Sequence, residues 1–143
     1  MDDRNFIFLD IDGVLNAPGD IELIEGMFEK NKLDSFIKLM EETKSVLIII
    51  SSRRHYDDEK TRIIKTFSNT SFLDDIYFLP ETKCLKRADE IQQFINKYDI
   101  VNFVVLDDND DNNSLYFKEK FINIGYMTGL NIEDIIKIKS ILK

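Results

Sequence analysis

The chain is poor in the residues that mark several protein classes. Its 143 residues include one cysteine, two prolines, five glycines and no tryptophan. A single cysteine excludes an internal disulfide and a cysteine-based metal clip, and scarce proline and glycine argue against long disordered linkers. The longest apolar run, residues 46–50, is too short to span a bilayer, and the N-terminus lacks signal-peptide features. We expect a cytoplasmic protein without membrane association.

The chain also contains few basic residues relative to acidic ones, and few histidines. Asp and Glu number 27 against 19 Lys and Arg, so the formal net charge is -8. A negative surface works against sequence-independent binding to nucleic acid or anionic membranes, although recognition of one terminal phosphate stays compatible with it. His55 is the single histidine, so a zinc site and a Ser-His-Asp triad both lack members. A GxxxxGK[ST] phosphate loop is absent as well.

What the chain does contain is a regular alternation of apolar runs and helical patterns. Strands are predicted over residues 6–9, 46–50, 76–79, 101–106 and 121–124, and helices over residues 32–42, 57–67, 87–98 and 132–142. Asn131 and Asp134 suit a capping box before the last helix, whereas residues 111–120 are ambiguous. This order predicts an α/β, three-layer Rossmann-like fold in one domain of residues 1–143. Its parallel five-stranded sheet carries helices on both faces.

Polar residues follow the predicted strands at the ends where ligands bind in such sheets. Asp10 and Asp12 follow the first run, Ser51 follows the second, and Asp107 and Asp108 follow the fourth. Two carboxylates at one strand end repel each other unless a cation is present, and Mg²⁺ prefers oxygen ligands. We interpret the two acidic pairs as a shared metal site. The alternative for each is an acidic turn, which we accept for most of residues 109–113.

Several residues near these carboxylates are candidates for holding a phosphate. The Ser51 hydroxyl can donate to a phosphate oxygen, although a helix-capping or turn serine is common, and Ser52 fits that ordinary role better than Ser51. Lys86 stands at a predicted helix start, where the helix dipole favours an anion. The ordinary alternative is a surface lysine. Lys83 and Arg87 compete closely with Lys86 for this role.

These segments, taken in order, resemble the four motifs of the haloacid dehalogenase (HAD) superfamily. The run Phe-Leu-Asp-Ile-Asp-Gly-Val-Leu-Asn at residues 8–16 is similar to its first motif, and residues 48–51 are similar to its second. Lys86 before a helix resembles the third motif, and residues 104–108 resemble the fourth. The finer pattern at residues 86–91, 106–108 and 129–130 is similar to the small HAD domains of Swiss-army-knife RNA repair proteins.

The resemblance implies a HAD-type phosphatase, that is, a phosphoric monoester hydrolase that uses Mg²⁺ and an aspartyl-phosphate intermediate. Asp10 would be the nucleophile and Asp12 the acid and base. Ser51 and Lys86 would stabilise the phosphoryl oxygens. The implied metal ligands are Asp10, Asp12, Asp107 and Asp108, with Asp111 as an alternative to Asp108. Residues expected to contact substrate are Ser52, Arg53, Arg87 and Asn16.

The spacing of the motifs predicts a minimal cap or none. The residues between Asp12 and Ser51 suffice for one helix and one strand, with residues 16–27 left as a small flap. An open site suits a phosphorylated macromolecule, such as a nucleic-acid end. We expect the protein to be a monomer or a weak dimer. The alternatives are a small-metabolite or nucleotide phosphatase and a catalytically silent HAD-like binding module. A receiver domain would need an aspartate after the third strand, where Leu79, Pro80 and Glu81 stand.

Overall fold

The computed structural model describes residues 2–82 and 85–143, which form a parallel sheet with helices on both faces. Within these residues the strands are β1 (Asp2–Leu9), β2 (Val46–Ile49), β3 (Ile76–Phe78), β4 (Ile100–Asp107) and β5 (Phe121–Asn123). Their spatial order is β3-β2-β1-β4-β5. The helices are α1 (Lys30–Thr43), α2 (Asp57–Thr66), α3 (Arg87–Tyr98), α4 (Asn113–Phe117) and α5 (Ile132–Ile141). The α/β fold expected from the sequence is confirmed.

The side chains of the central strands alternate between two hydrophobic cores, because successive residues of a strand point to opposite faces. Ile7 and Leu9 of β1 lie in the core that α1, α2 and α5 cover. Phe6 and Phe8 lie in the core that α3 and α4 cover. Burial on both faces explains why β2 and residues 103–106 of β4 are continuously apolar rather than alternating.

All predicted boundaries except the start of β1 lie within two residues of those in the structure. Helix α3 begins and ends where it was predicted, and the capping box of Asn131 and Asp134 at α5 is confirmed. The ambiguous residues 111–120 hold α4 and a 3₁₀ turn, Lys118–Lys120. Strand β1 begins at Asp2, earlier than predicted, because its polar start pairs with the first residues of β4.

The carboxyl ends of β1, β2 and β4 meet at one edge of the sheet, and the site lies there. The segment between β1 and α1, residues 10–29, consists of turns and one isolated bridge between Ile24 and Phe28. A folded cap is therefore absent from this segment, as predicted. Among the described helices, each is too short or too polar to cross a membrane.

Candidate active site

Carboxylates from two strand ends meet in a buried cluster. The backbone N–H of Asp10 donates to the carbonyl of Leu106 at 2.9 Å, which places Asp10 beside the end of β4. Oxygen atoms of Asp10, Asp107 and Asp108 all lie within 4.8 Å of one another. Asp10 is 7% exposed and Asp107 is 2% exposed. The two acidic stretches therefore come together as the sequence predicted.

The carboxylates of this cluster need a nearby positive charge in order to be ionised together. Burial, followed by the nearby charge of Asp107, raises the pKa of Asp10 to about 8, against a partial opposing effect of Arg87. Burial also raises the pKa of Asp108. Like charges in a low dielectric disfavour ionisation unless a cation compensates them. Three converging carboxylates are the hard oxygen ligands that Mg²⁺ prefers, so the residues present fit that ion.

Among the described residues, Arg87 is the cation that lies against these carboxylates. Its Nη1 atom lies 3.0 Å from Oδ2 of Asp107 and 3.6 Å from Oδ2 of Asp10. The prediction that Lys86 occupies this place is not matched by the geometry. Lys86 is the N-cap residue of α3, and its exposed ammonium lies 3.7 Å from Asp111. The third candidate, Lys83, lies outside the described residues.

Asp108 is the residue that joins the cluster, whereas Asp111, the alternative ligand, pairs with Lys86 in a half-exposed position. Gly13 makes room for Asp108. The φ angle of Gly13 is +81°, and a Cβ atom there would lie only 2.6 Å from Cγ of Asp108. The chain turns sharply at this glycine, and the missing side chain permits a close approach of the two loops.

Asp12 differs from Asp10 in exposure and in partners. Its side chain is 54% exposed. Nε and Nη2 of Arg53 each donate to its carboxylate at 2.9 Å, and Asn16 donates at 3.1 Å. Partial burial raises the pKa of Asp12, but these hydrogen bonds outweigh it, so the net effect lowers the pKa. Asp12 is therefore ionised at neutral pH in this arrangement. Arg53 is also bound by Glu59 at 2.8 Å, a residue that the sequence did not single out.

Asn16 braces the turn around Asp12. Its Nδ2 group donates to Oδ1 of Asp12 at 3.1 Å and to the carbonyl of Met27 at 2.7 Å. Its Oδ1 atom accepts from the N–H of Gly13 at 3.0 Å. Both side-chain donors are engaged within the loop. This geometry favours a bracing role over the predicted contact with substrate.

Ser51 is buried two residues after the end of β2, where it caps the 3₁₀ turn Ser52–His55 by accepting from the N–H of Arg53 at 3.2 Å. Of the two ordinary roles expected for Ser52, capping therefore belongs to Ser51, whereas Ser52 is a turn serine. A hydroxyl oxygen that accepts still carries its own O–H. Capping is thus compatible with donation from Ser51 to a phosphate. Ser52 is exposed at the first position of the turn.

A comparison with protein families gives one match that covers nearly the whole chain. The family described as the HAD domain in Swiss Army Knife RNA repair proteins matches residues 6–135, a range that includes every site residue named above. No curated protein and no solved structure matches the chain significantly.

Proposed function

This chain belongs to the HAD superfamily, and on that premise we propose that it is a magnesium-dependent phosphatase that works through an aspartyl-phosphate on Asp10. The observation that carries the proposal is the meeting of Asp10, Asp107 and Asp108 beside the guanidinium of Arg87. A buried nucleophilic carboxylate, further acids and a cation are the groups that phosphoryl transfer requires.

The metal would be held by the carboxylates of Asp10, Asp107 and Asp108, with the backbone carbonyl of Asp12 as a further ligand. Bound Mg²⁺ supplies positive charge that keeps the carboxylates ionised and stabilises the oxygens of the phosphoryl group. Arg87 supplies additional positive charge from the side of α3, where it already contacts two of these acids.

The reaction divides into two displacements at phosphorus. An oxygen of Asp10 attacks, the bond from phosphorus to the alcohol oxygen breaks, and Asp12 gives its proton to the leaving alcohol. Water then attacks the aspartyl-phosphate, Asp12 takes the water's proton, and inorganic phosphate leaves with Asp10 regenerated. Ser51 and Arg87 donate hydrogen bonds to the equatorial oxygens as charge spreads over them.

The contact of Asp12 with Arg53 bears on the first step, because Asp12 has to carry a proton when the alcohol leaves. Arg53 favours the ionised form of Asp12. A phosphate dianion competes with Asp12 for the same guanidinium, since Arg binds carboxylate and phosphate with the same fork geometry. In this proposal Arg53 turns toward the substrate and thereby releases Asp12 for proton transfer.

The shape of the site favours a substrate whose bulk stays outside. A cavity of about 180 Å³ lies beside Arg87 and Asp107 and is otherwise lined by Ala88, Asn109, Asp111 and Asn113. Pockets that enclose a ligand usually measure about 300–1,000 Å³. Together with the exposed Asp12 and the family of RNA repair domains, this supports a phosphorylated nucleic-acid end rather than a small metabolite as the substrate.

The test is a hydrolysis screen with Mg²⁺ that compares an aryl phosphate, a nucleoside monophosphate and a phosphorylated oligonucleotide. We expect the oligonucleotide to have the highest kcat/KM and Asp10→Asn to abolish turnover, because the amide keeps the shape of the side chain but cannot attack. Asp34→Asn is the matched control, since Asp34 is an exposed carboxylate on α1 that lies outside the acidic cluster and the cavity. Wild-type rates in Asp10→Asn would refute the mechanism, and an inactive metal-loaded wild type would favour the silent binding module.

A further inference from the structure

An ion pair lies buried between the end of β2 and the first turns of α3. Nη2 of Arg54 donates to Oε1 of Glu90 at 2.9 Å, with side-chain exposures of 4% and 6%. Charged side chains are rarely buried this deeply. A buried ion pair is weak grounds for stability, because the desolvation of both charges offsets most of their attraction. Its presence next to the site therefore needs another explanation.

The hydrogen bonds of the pair join three segments that surround the site. Arg54 donates to the carbonyls of Ile50 and Ser51 at the end of β2, and to the carbonyl of Leu79 after β3 at 2.9 Å. The second carboxylate oxygen of Glu90 accepts from the N–H of Thr82 at 2.7 Å. The pair thus fixes the end of β2, the segment after β3 and helix α3 relative to one another.

These are the segments that present the phosphate-binding groups. Arg54 belongs to the turn Ser52–His55, which Ser51 caps. Glu90 follows Arg87 by three residues, or about one helical turn, on α3. Consecutive arginines of the turn consequently point to different partners, Arg53 to Asp12 and Arg54 to Glu90.

We propose that Arg54 and Glu90 are a positioning pair that fixes the separation between Ser51 on one side of the phosphate and Arg87 on the other. This inference rests on the proposed function, because the phosphate-binding roles of Ser51 and Arg87 belong to that proposal. Neither Arg54 nor Glu90 is assigned a contact with the substrate. A misplacement of about 1 Å in a catalytic group can lower the rate by about a hundredfold. A rigid link between Ser51 and Arg87 therefore explains why a buried ion pair is kept despite the desolvation of its two charges.

The test uses two variants that keep both charges. Glu90→Asp shortens one side chain by a methylene, so that its carboxylate cannot reach Arg54 and the N–H of Thr82 together. Arg54→Lys removes the fork that contacts several carbonyls at once. Ile138→Ala is the control for lost stability, because Ile138 is fully buried in the core on the opposite face of the sheet. All variants are assayed well below their melting temperatures.

We expect both variants to lower kcat about tenfold to a hundredfold with KM changed by less than about threefold. Affinity for orthovanadate, which mimics the five-coordinate transition state, falls by a similar factor, whereas affinities for inorganic phosphate and Mg²⁺ stay near the wild-type values. Ile138→Ala keeps kcat while losing thermal stability. If Glu90→Asp does not fold, the kcat and the vanadate affinity of Arg54→Lys decide the test.

The outcomes separate this inference from the proposed function. An active wild type whose Glu90→Asp and Arg54→Lys variants behave like Ile138→Ala would overturn the positioning role and leave the phosphatase assignment intact. A wild type without turnover that still binds vanadate would contradict the phosphatase, and the vanadate affinities of the variants would then decide the positioning role. A wild type that neither turns over nor binds vanadate would overturn both.

Discussion

Removing the charge of Asp10 is expected to make the metal-free protein more stable while it abolishes catalysis. Asp10 is almost fully buried, and its oxygen atoms lie close to those of two other carboxylates. In the absence of metal, Arg87 lowers the pKa of Asp10, and the pKa is raised nonetheless. Asn has nearly the same shape and carries no charge, so Asp10→Asn relieves both the desolvation and the repulsion.

The size of the effect follows from the pKa of Asp10, which rises from 3.8 to about 8 on folding. A carboxyl whose pKa is raised by folding binds a proton in the native state that the unfolded chain has already released. The free energy of unfolding is therefore undiminished by Asp10 below pH 4. It falls by up to about 1.4 kcal/mol per pH unit as the pH rises toward 8. At pH 7 the wild type is thus less stable than Asp10→Asn by at most about 4 kcal/mol.

Urea denaturation in EDTA between pH 5 and pH 8 measures this difference directly. We expect the free energy of unfolding of wild type to fall with pH relative to that of Asp10→Asn, whereas Asp34→Asn follows wild type. Added Mg²⁺ reverses the order, because a ligand that binds only the native state stabilises it and Asp10→Asn lacks one metal ligand. A difference that is independent of pH, or an Asp10→Asn variant less stable than wild type in EDTA, would refute the reasoning.

Three further changes test other parts of the site. Gly13→Ala forces a side chain into a left-handed turn and against the neighbouring metal-site carboxylate, so urea denaturation should show a loss of about 1–3 kcal/mol and magnesium titration a weaker affinity. Arg87→Ala should lower kcat by about a hundredfold, whereas Lys86→Ala should change it by less than about threefold, as steady-state kinetics with an aryl phosphate will show. Arg53→Met should raise the pKa of Asp12 and move the corresponding limb of the pH–rate profile to higher pH, with an unchanged profile as the contrary result.

The position of the acidic cluster was predictable because it depends on topology alone. Parallel strands bring their carboxyl ends to one edge, so acids after β1 and β4 had to meet if these strands were neighbours. The choice between Lys86 and Arg87 was not predictable in the same way. Helix starts are uncertain by one or two residues, and each step along a helix turns the side chain by about 100°. The structure alone shows that Arg87 is the one that faces the cluster.

Side chains that brace the site were harder to predict than those that form it. An asparagine at the end of the first motif fits a substrate contact and a loop brace equally well, and the hydrogen bonds of Asn16 to Gly13 and Met27 decide between them. Arg54 and Glu90 are far apart in the chain, and each is an ordinary surface residue by composition. Their pairing depends on how α3 packs against the end of β2, which no local pattern specifies.

The charges around the site bear on how an acidic protein would select the proposed anionic substrate. Arg53 is paired with Asp12, and Arg87 is paired with Asp10 and Asp107. The cations of the site are thus compensated by its own acids. With a formal net charge of -8, the protein lacks the long-range attraction that steers a polyanion. Recognition then depends on short-range contacts to one phosphate and the metal.

We therefore expect the binding of a phosphorylated oligonucleotide to depend weakly on salt concentration and on oligonucleotide length. Each phosphate neutralised along a single strand contributes about 0.7 to the slope of log affinity against log salt concentration. Contacts restricted to the terminal phosphate therefore give a slope of about 1 or less, and KM should stay constant as nucleotides are added beyond the first few. Steady-state kinetics between 50 and 300 mM salt with short and long substrates measure both quantities. A steep slope that grows with oligonucleotide length would show that a basic path along the surface contributes, and the single-phosphate mode of recognition would then be wrong.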